Sequence, residues 1–326
     1  MNRPLKYSKI AAWWPLLVPV FLLTIEPTFA GMVCGYASAT EGIEDTLPPH
    51  GNASYFGEET TIGSPYVLRD TRVLSFTSED KSHSLRLFIA LPRNYSARSD
   101  SFPVIYLLDA DYSFALARNI LLHFTDRDQL KEAIIVGIAY PGADSDLSFY
   151  KRTRTVDYTP SNTPKGGYSE EDQKVSGGGP NFLKILGDEL LPFIDARFRT
   201  KPSRRMIVGH SFGGLFASYA MLTKPGFFHD YLIVSPSYWY DNRMMFTLAK
   251  RYIASHKALP AHVFYAIGSR EGIMVDDVNA MDTLFKKAKL EGYYSSLQVF
   301  EGDTHNSVFP GALTRGLRVL IGHDGE

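Results

Sequence analysis

The sequence has almost no cysteine and no excess of charge of either sign. Cys34 is the single cysteine among 326 residues, which excludes an intramolecular disulfide and a zinc site made of several cysteines. The 34 Lys and Arg residues are balanced by 35 Asp and Glu residues, so the overall charge does not favour nucleic acid as a partner. Because 44% of the residues are hydrophobic, the chain has enough apolar material for one large core.

Long hydrophobic runs are also scarce, and the most extended one lies near the N-terminus. A basic start precedes an apolar stretch over 11–25, which contains two prolines and is followed by Ala30. This stretch is shorter than the ~20 residues that cross a bilayer. A cleaved signal peptide over 1–30 is therefore the favoured interpretation, and a permanent anchor is the alternative. Lipid attachment at Cys34 is less favoured, because Val33 stands where a lipoprotein site normally has a small residue. We expect a periplasmic or secreted protein without stable membrane insertion.

Positive charge is absent between Lys9 and Arg69, and the composition changes within that interval. Residues 31–65 are rich in Gly, Ser, Pro, Glu and Thr, which is typical of a leader of low order. The catalytic domain is expected over 66–326. Within it, residues 141–180 show no clear hydrophobic period and are interpreted as a long loop inserted beside the active site.

Apolar runs and helical patterns alternate through the rest of the chain. The first two runs alternate like paired antiparallel strands, and the later ones are continuous, as in buried parallel strands. Strands are predicted at 71–76, 84–90, 103–108, 133–138, 205–209, 231–234, 262–267 and 296–300. Helices are predicted at 112–124, 181–198, 212–222, 244–256, 278–290 and 312–321. This order predicts an α/β fold, with a mostly parallel central sheet, helices on both faces and a ligand at the carboxyl ends of the strands.

The segment Gly209–Gly213 reads Gly-His-Ser-Phe-Gly, a G-x-S-x-G pattern between an apolar run and a helical stretch. A strand, a sharp turn and a helix in this order form the nucleophile elbow of the α/β-hydrolase fold. Glycines flank the serine because a Cβ atom would clash in so tight a turn. The pattern predicts Ser211 as a nucleophile, and the alternative is a glycine-rich turn without chemistry.

A serine hydroxyl needs a base, and in this fold the chain order is serine, acid, histidine. Among nine histidines, His305 lies in a loop directly after a late predicted strand, where the base belongs. A surface histidine without a role is the alternative. The acid should follow the preceding strand, where Glu271 is favoured and Asp276 and Asp277 are alternatives.

Two backbone N–H groups should bind the oxyanion of the tetrahedral intermediate. Phe212 is expected to supply one of them, and the loop containing Ala110 and Asp111 the other. Asp109 and Asp111 also suit a turn, or a helix N-cap at Asp111, and this interpretation is preferred over metal binding. Neither a metal ion nor an organic cofactor is expected.

The residues from about 67 to 321 resemble the Putative esterase family of α/β-hydrolases, which includes esterase D, enterochelin esterases and mycolyltransferases. The resemblance lies in Pro103–Asp109, in the elbow and in Ser235–Trp239. Where the family usually has Asp-Gly after the first of these segments, this chain has Asp109-Ala110. The resemblance implies the α/β-hydrolase fold and ester hydrolysis.

The segment Arg154–Pro160 is similar to the Arg-x-x-Asp-x-Thr-Pro segment of periplasmic siderophore esterases of the enterochelin type. This resemblance implies that Arg154 and Trp239 face the substrate, with His210 as a third candidate substrate-binding residue. An aromatic and anionic ferric tris-catecholate would suit a cation and an indole ring. The alternative is that Arg154 pairs with Asp157 and only braces its loop.

Together these features predict a serine carboxylic-ester hydrolase that forms an acyl-enzyme, with a siderophore ester such as an enterobactin-type trilactone, or its ferric complex, as substrate. An acyltransferase of the cell envelope would use the same site with a sugar or lipid hydroxyl in place of water. A non-catalytic binding protein that keeps the fold is the alternative from another class.

Overall fold

A computed structural model describes residues 66–127, 129–143 and 145–322. Its centre is one eight-stranded sheet with the strand order β1-β2-β4-β3-β5-β6-β7-β8. The strands are β1 Thr71–Thr77, β2 Ser84–Ala90, β3 Phe102–Leu107, β4 Ile134–Ala139, β5 Thr200–His210, β6 Asp230–Val234, β7 Ala258–Gly268 and β8 Glu291–Phe300. β2 pairs antiparallel with both β1 and β4, and every other pair is parallel. The predicted α/β class with a mostly parallel sheet is confirmed.

The helices flank this sheet. They are α1 Ala110–Thr125, α2 Leu147–Tyr158, α3 Glu170–Lys174, α4 Gly179–Ile185, α5 Leu191–Asp195, α6 Phe212–Thr223, α7 Tyr240–Ser255, α8 Ile273–Ala288 and α9 Val308–Ile321. One cluster of buried side chains packs α6, α7 and α8 against one face of the sheet. A second cluster packs α1 and α9 against the other face. Strands buried on both faces explain why β4 and β6 consist entirely of buried residues.

The helix predicted over 181–198 is interrupted. A π-helical turn over Leu186–Leu190 separates α4 from α5. Pro192 follows this turn, and a proline in a helix removes a donor and clashes with the carbonyl four residues earlier. The backbone loosens into the wider turn at that point, which a hydrophobic period cannot show.

The expectation of a long loop over 141–180 is wrong, because α2 and α3 lie within it. The Asp146 carboxylate caps α2 by accepting the N–H groups of Ser148 and Phe149, at 2.8 and 3.0 Å. Tyr150, Arg154 and Tyr158 form its buried stripe at a spacing of four. This stripe is built from tyrosines and an arginine, so a search for apolar periodicity misses the helix.

The predicted signal peptide over 1–30, the leader over 31–65, Cys34 and His323 all lie outside the described residues. In the described part of the chain, no helix is both long enough and apolar enough to cross a membrane.

Candidate active site

The turn between β5 and α6 has the geometry of a nucleophile elbow. Ser211 has φ 59° and ψ −117°, a conformation that is strained for a residue with a side chain. A Cβ at Gly209 would lie 2.2 Å from the Gly213 carbonyl oxygen, so only glycine fits there. The Ser211 N–H donates to the Val234 carbonyl at 3.0 Å, which fixes the turn to the end of β6. The Ser211 hydroxyl lies 3.4 Å from the Ser237 hydroxyl.

The loops after β7 and β8 bring Glu271 and His305 together. The distance between His305 Nδ1 and Glu271 Oε2 is 2.7 Å, and the side chain of Glu271 is 1% exposed. The other carboxylate oxygen, Oε1, accepts the Ser235 hydroxyl and the Gly268 N–H, both at 2.7 Å. Burial raises the pKa of Glu271, but the hydrogen bonds from His305, Ser235 and Gly268 outweigh it, so the net pKa is lowered.

The structure gives neither alternative acid a contact with His305. Asp277 is buried, and its carboxylate accepts the Arg243 guanidinium at 2.9 Å. Asp276 is exposed in the first turn of α8. Of the three candidates, the structure therefore places Glu271 against His305.

The two expected oxyanion donors stand at the starts of two helices. Phe212 begins α6 and Ala110 begins α1, so the positive ends of both helix dipoles face the serine's side of the sheet. The expected N-cap at Asp111 is wrong, because α1 begins two residues earlier than predicted, at Ala110, and its N-cap is Asp109. Asp111 lies in the first turn, where its carboxylate accepts the Arg86 guanidinium at 3.1 Å.

Asp109 and Arg154 form a buried ion pair beside the elbow. Arg154 Nε lies 3.0 Å from Asp109 Oδ1, and one terminal nitrogen lies 2.9 Å from Oδ2. The alternative pairing of Arg154 with Asp157 is not found. Instead Asp157 accepts the Tyr140 hydroxyl at 2.7 Å and lies 2.8 Å from His83 Nε2.

A pocket with a volume of about 390 Å³ opens over Ser211 and His305. Arg154 and His210 also line it, with an aromatic wall. The wall consists of Tyr112, Tyr150, Tyr168 and Phe309. Trp239 stands behind Phe212, with a distance of 6.0 Å between the ring centroids, and it packs against Gly166.

The ring of His210 contacts His305. Its Nε2 lies 2.8 Å from the carbonyl oxygen of His305, and the two imidazole centroids are 4.5 Å apart. Because a carbonyl oxygen only accepts, Nε2 of His210 carries a proton in this contact. Burial and the neighbouring His305 lower the pKa of His210 to about 4, so its ring is neutral at pH 7.

Sequence reasoning missed Ser235, Ser237, Tyr150, Tyr168 and Phe309. Ser235 and Ser237 follow β6 directly, so their place at the carboxyl edge of the sheet was a usable signal. Tyr150 and Tyr168 lie in the stretch taken for a loop, and Phe309 lies in the first turn of α9. No pattern in the chain points to these aromatic residues.

A model of the family described as "Putative esterase" matches residues 78–320. The chain belongs to this family. Membership makes it a carboxylic ester hydrolase, and the matched range contains the elbow together with the loops that carry Glu271 and His305.

Relatives of this esterase include proteins with named siderophore substrates. It is 27% identical over 269 residues to the ferri-bacillibactin esterase BesA of Bacillus subtilis, covering 80% of this chain and 92% of that protein. It is 31% identical over 221 residues to the siderophore enterobactin esterase of Emericella nidulans, covering 64% of this chain and 72% of that protein. Among solved structures, the BES protein from Bacillus cereus superposes with a TM-score of 0.69 at 27% identity, covering 79% and 98% of the two chains.

Proposed function

We propose that this protein is a serine esterase that hydrolyses the ester bonds of a catecholate siderophore through an acyl-enzyme. Two observations support the mechanism: Ser211 and His305 line the same pocket, and the buried carboxylate of Glu271 lies 2.7 Å from Nδ1 of His305. The named substrates of its relatives carry the substrate class.

The proposed acylation starts from the hydrogen bond between His305 and Glu271. Because Nδ1 of His305 faces Glu271, Nε2 is the nitrogen that remains to accept the proton of Ser211. The serine oxygen attacks the ester carbonyl carbon, and the N–H groups of Phe212 and Ala110 donate to the oxyanion. Collapse breaks the ester C–O bond, and His305 protonates the leaving alcohol. Water, deprotonated by His305, then releases the acid and regenerates the serine.

The pocket suits an aromatic substrate. Tyr112 is 63% exposed and meets Tyr150 edge to face at a centroid distance of 5.1 Å. Tyr168 is also exposed, and the ring centroid of Phe309 lies 5.7 Å from that of His210. Rings of this kind offer faces and edges for stacking on catechol groups, and the neutral ring of His210 adds no charge. Trp239 is proposed to act through Phe212, the ring against which it packs.

Replacing the nucleophile tests the mechanism. Ser211→Ala should lower kcat on p-nitrophenyl acetate by at least about a thousandfold, because the acyl-enzyme can no longer form. Wild-type protein should be labelled by a fluorophosphonate probe, and Ser211→Ala should not. Ser203→Ala is the matched control, since Ser203 is exposed near the start of β5, at the other end of the strand from Ser211. Near-normal turnover in Ser211→Ala would refute the assignment.

Product analysis tests the substrate class. The protein is incubated with an enterobactin-type trilactone, iron-free and ferric, with and without an added alcohol acceptor, and the products are read by mass spectrometry. We expect linear hydrolysed fragments from wild type and none from Ser211→Ala. Acyl transfer to the alcohol in place of hydrolysis would indicate a transferase, and an intact trilactone alongside rapid p-nitrophenyl acetate hydrolysis would reject the siderophore substrate.

We also propose a periplasmic or secreted location, supported by the basic and then apolar N-terminal segment that ends near Ala30. N-terminal sequencing of protein exported by a bacterial host should give a mature chain beginning near Gly31. An uncleaved N-terminus would contradict this proposal.

A further inference from the structure

Arg154 touches both segments that supply the proposed oxyanion donors. Its guanidinium holds the carboxylate of Asp109, the residue before Ala110, through two hydrogen bonds at 3.0 and 2.9 Å. The nitrogen that bonds Asp109 Oδ2 also lies 3.4 Å from the carbonyl oxygen of His210, the residue before Ser211. One side chain therefore bridges the turn at the end of β3 and the elbow at the end of β5.

Arg154 holds a turn whose backbone conformation is unfavourable for a residue with a side chain. Asp109 has φ 53° and ψ 44°, in the left-handed region, and its carboxylate makes no cap hydrogen bond to α1. The side chain is instead held from the α2 side, where Tyr150 also donates its hydroxyl to Oδ1 at 2.8 Å. Because α2 anchors this carboxylate, the strained residue stays in place and sets the direction of the Ala110 N–H.

Arg154 has little charge left to offer a substrate. Its side chain is 4% exposed and that of Asp109 is 12% exposed, and the two charges neutralise each other. Its remaining terminal nitrogen donates to the hydroxyl of Tyr168. Its guanidinium carbon lies 5.6 or 5.7 Å from each of four surrounding ring centroids. These rings belong to Tyr150, Tyr158, Tyr168 and Phe212.

We propose that Arg154 is a positioning residue that aligns the two oxyanion donors, and that it is not the cation that binds an anionic substrate. This inference rests on the proposed serine esterase mechanism and assigns a part within it. Alignment of the donors matters for every ester, because every tetrahedral intermediate carries the same oxyanion. Recognition of an anion would matter for anionic substrates only.

The test compares a neutral ester with an anionic one. Arg154→Met should lower kcat for p-nitrophenyl acetate by about tenfold to a hundredfold with KM nearly unchanged, because loss of a whole oxyanion donor costs about a hundredfold or more. The loss on the ferric trilactone should be of similar size, and the rate of fluorophosphonate labelling should fall as well. Arg154→Lys should recover part of kcat, since an ammonium can bond Asp109 but cannot reproduce the fork. Arg152→Met is the matched control, an exposed arginine on the same helix.

A double-mutant cycle guards against a general folding defect. Arg154→Met alone leaves the carboxylate of Asp109 buried without its cation, so the double variant Arg154→Met/Asp109→Asn removes both charges. The loss in kcat of the double variant should be much smaller than the combined losses of Arg154→Met and Asp109→Asn. The far-UV circular dichroism spectra of all three variants should match that of the wild-type protein. Additive losses would overturn the inference.

Two further results would also overturn it. The first is an Arg154→Met variant that keeps the kcat of the wild-type protein on the neutral ester and shows a raised KM for the ferric trilactone only. That result would make Arg154 a substrate contact. Wild-type protein that neither hydrolyses the esters nor reacts with the probe would reject the proposed function, and the inference with it. The activity of the wild-type protein separates these two results: if it is normal, only the role of Arg154 is rejected, and if it is absent, the proposed function is rejected too.

Discussion

At the scale of single residues, the hydrogen-bond partners of Glu271 are the reason to propose it as the acid of the site. Glu271 receives a hydrogen bond at each carboxylate oxygen, and these bonds lower its pKa despite its burial. The carboxylate therefore stays ionised near neutral pH, where it can stabilise an imidazolium on His305. Ser235 has a role here that no motif suggests, because its hydroxyl fixes the oxygen that His305 does not use.

Neutralising this carboxylate should slow the chemistry with little effect on ester binding. We expect Glu271→Gln to lower kcat on p-nitrophenyl acetate by about 10²- to 10⁴-fold, because an amide neither fixes the tautomer nor stabilises the imidazolium. Steady-state kinetics at pH 7 to 8 provide the measurement.

Asp276→Asn, the same change on an exposed carboxylate of α8, should retain kcat within about twofold. Equal losses in the two variants would remove the reason for choosing Glu271.

At the scale of secondary-structure elements, the start of α1 is shaped by its contact with β4. A Cβ on Gly137 would lie 2.8 Å from the Cβ of Ala110 and 3.0 Å from the ring of Phe114. Glycine at this point of β4 leaves room for the methyl group of Ala110. The contact therefore requires glycine at position 137 as long as position 110 carries a Cβ.

Filling that space should displace the first turn of α1. We expect Gly137→Ala to cost about 1–3 kcal/mol of unfolding free energy by overpacking, and to lower kcat because the Ala110 N–H moves. Urea unfolding and p-nitrophenyl acetate kinetics measure the two effects.

The double variant Gly137→Ala/Ala110→Gly removes the shortest of these contacts, although the one with Phe114 remains, and should restore part of both losses. If the double variant is no better than Gly137→Ala alone, the contact between β4 and α1 is not the cause.

At the scale of the whole molecule, two partly buried histidines respond oppositely to acid. The hydrogen bond to Asp157 raises the pKa of His83, so its contribution to stability is present at low pH and is lost as the pH rises through that pKa. The pKa of His210 is lowered from 6.5 to about 4, so the folded state resists its protonation. Its contribution is present above pH 6.5 and is lost as the pH falls towards 4.

Acidification should therefore cost stability through His210. A pKa that falls from 6.5 to about 4 on folding removes about 2 kcal/mol of unfolding free energy between pH 7 and pH 5. In urea unfolding, His210→Gln should lose less unfolding free energy between pH 7 and pH 5 than the wild-type protein does, by about 2 kcal/mol. His256→Gln, an exposed histidine at the end of α7, should show the loss of wild type. An unchanged pH dependence in His210→Gln would contradict this assignment.

The sequence by itself determined the strand–turn–helix of the elbow, the α/β class and the family, because these depend on local patterns. Gly209 and Gly213 indicate a tight turn, and a continuous apolar run such as that of β4 indicates a strand buried on both faces of a sheet. The order of the strands also limited the acid and the base to the loops that follow the last two strands.

Tertiary structure alone decided the rest. Which carboxylate contacts His305 depends on the path of two loops. Asp109, the partner of Arg154, lies 45 positions away in the sequence, just beyond the end of β3. The helix that carries Arg154 was hidden because tyrosines and an arginine form its buried face. Such contacts depend on which distant segments pack against each other and pair their charges, and no local pattern in the sequence specifies those partners.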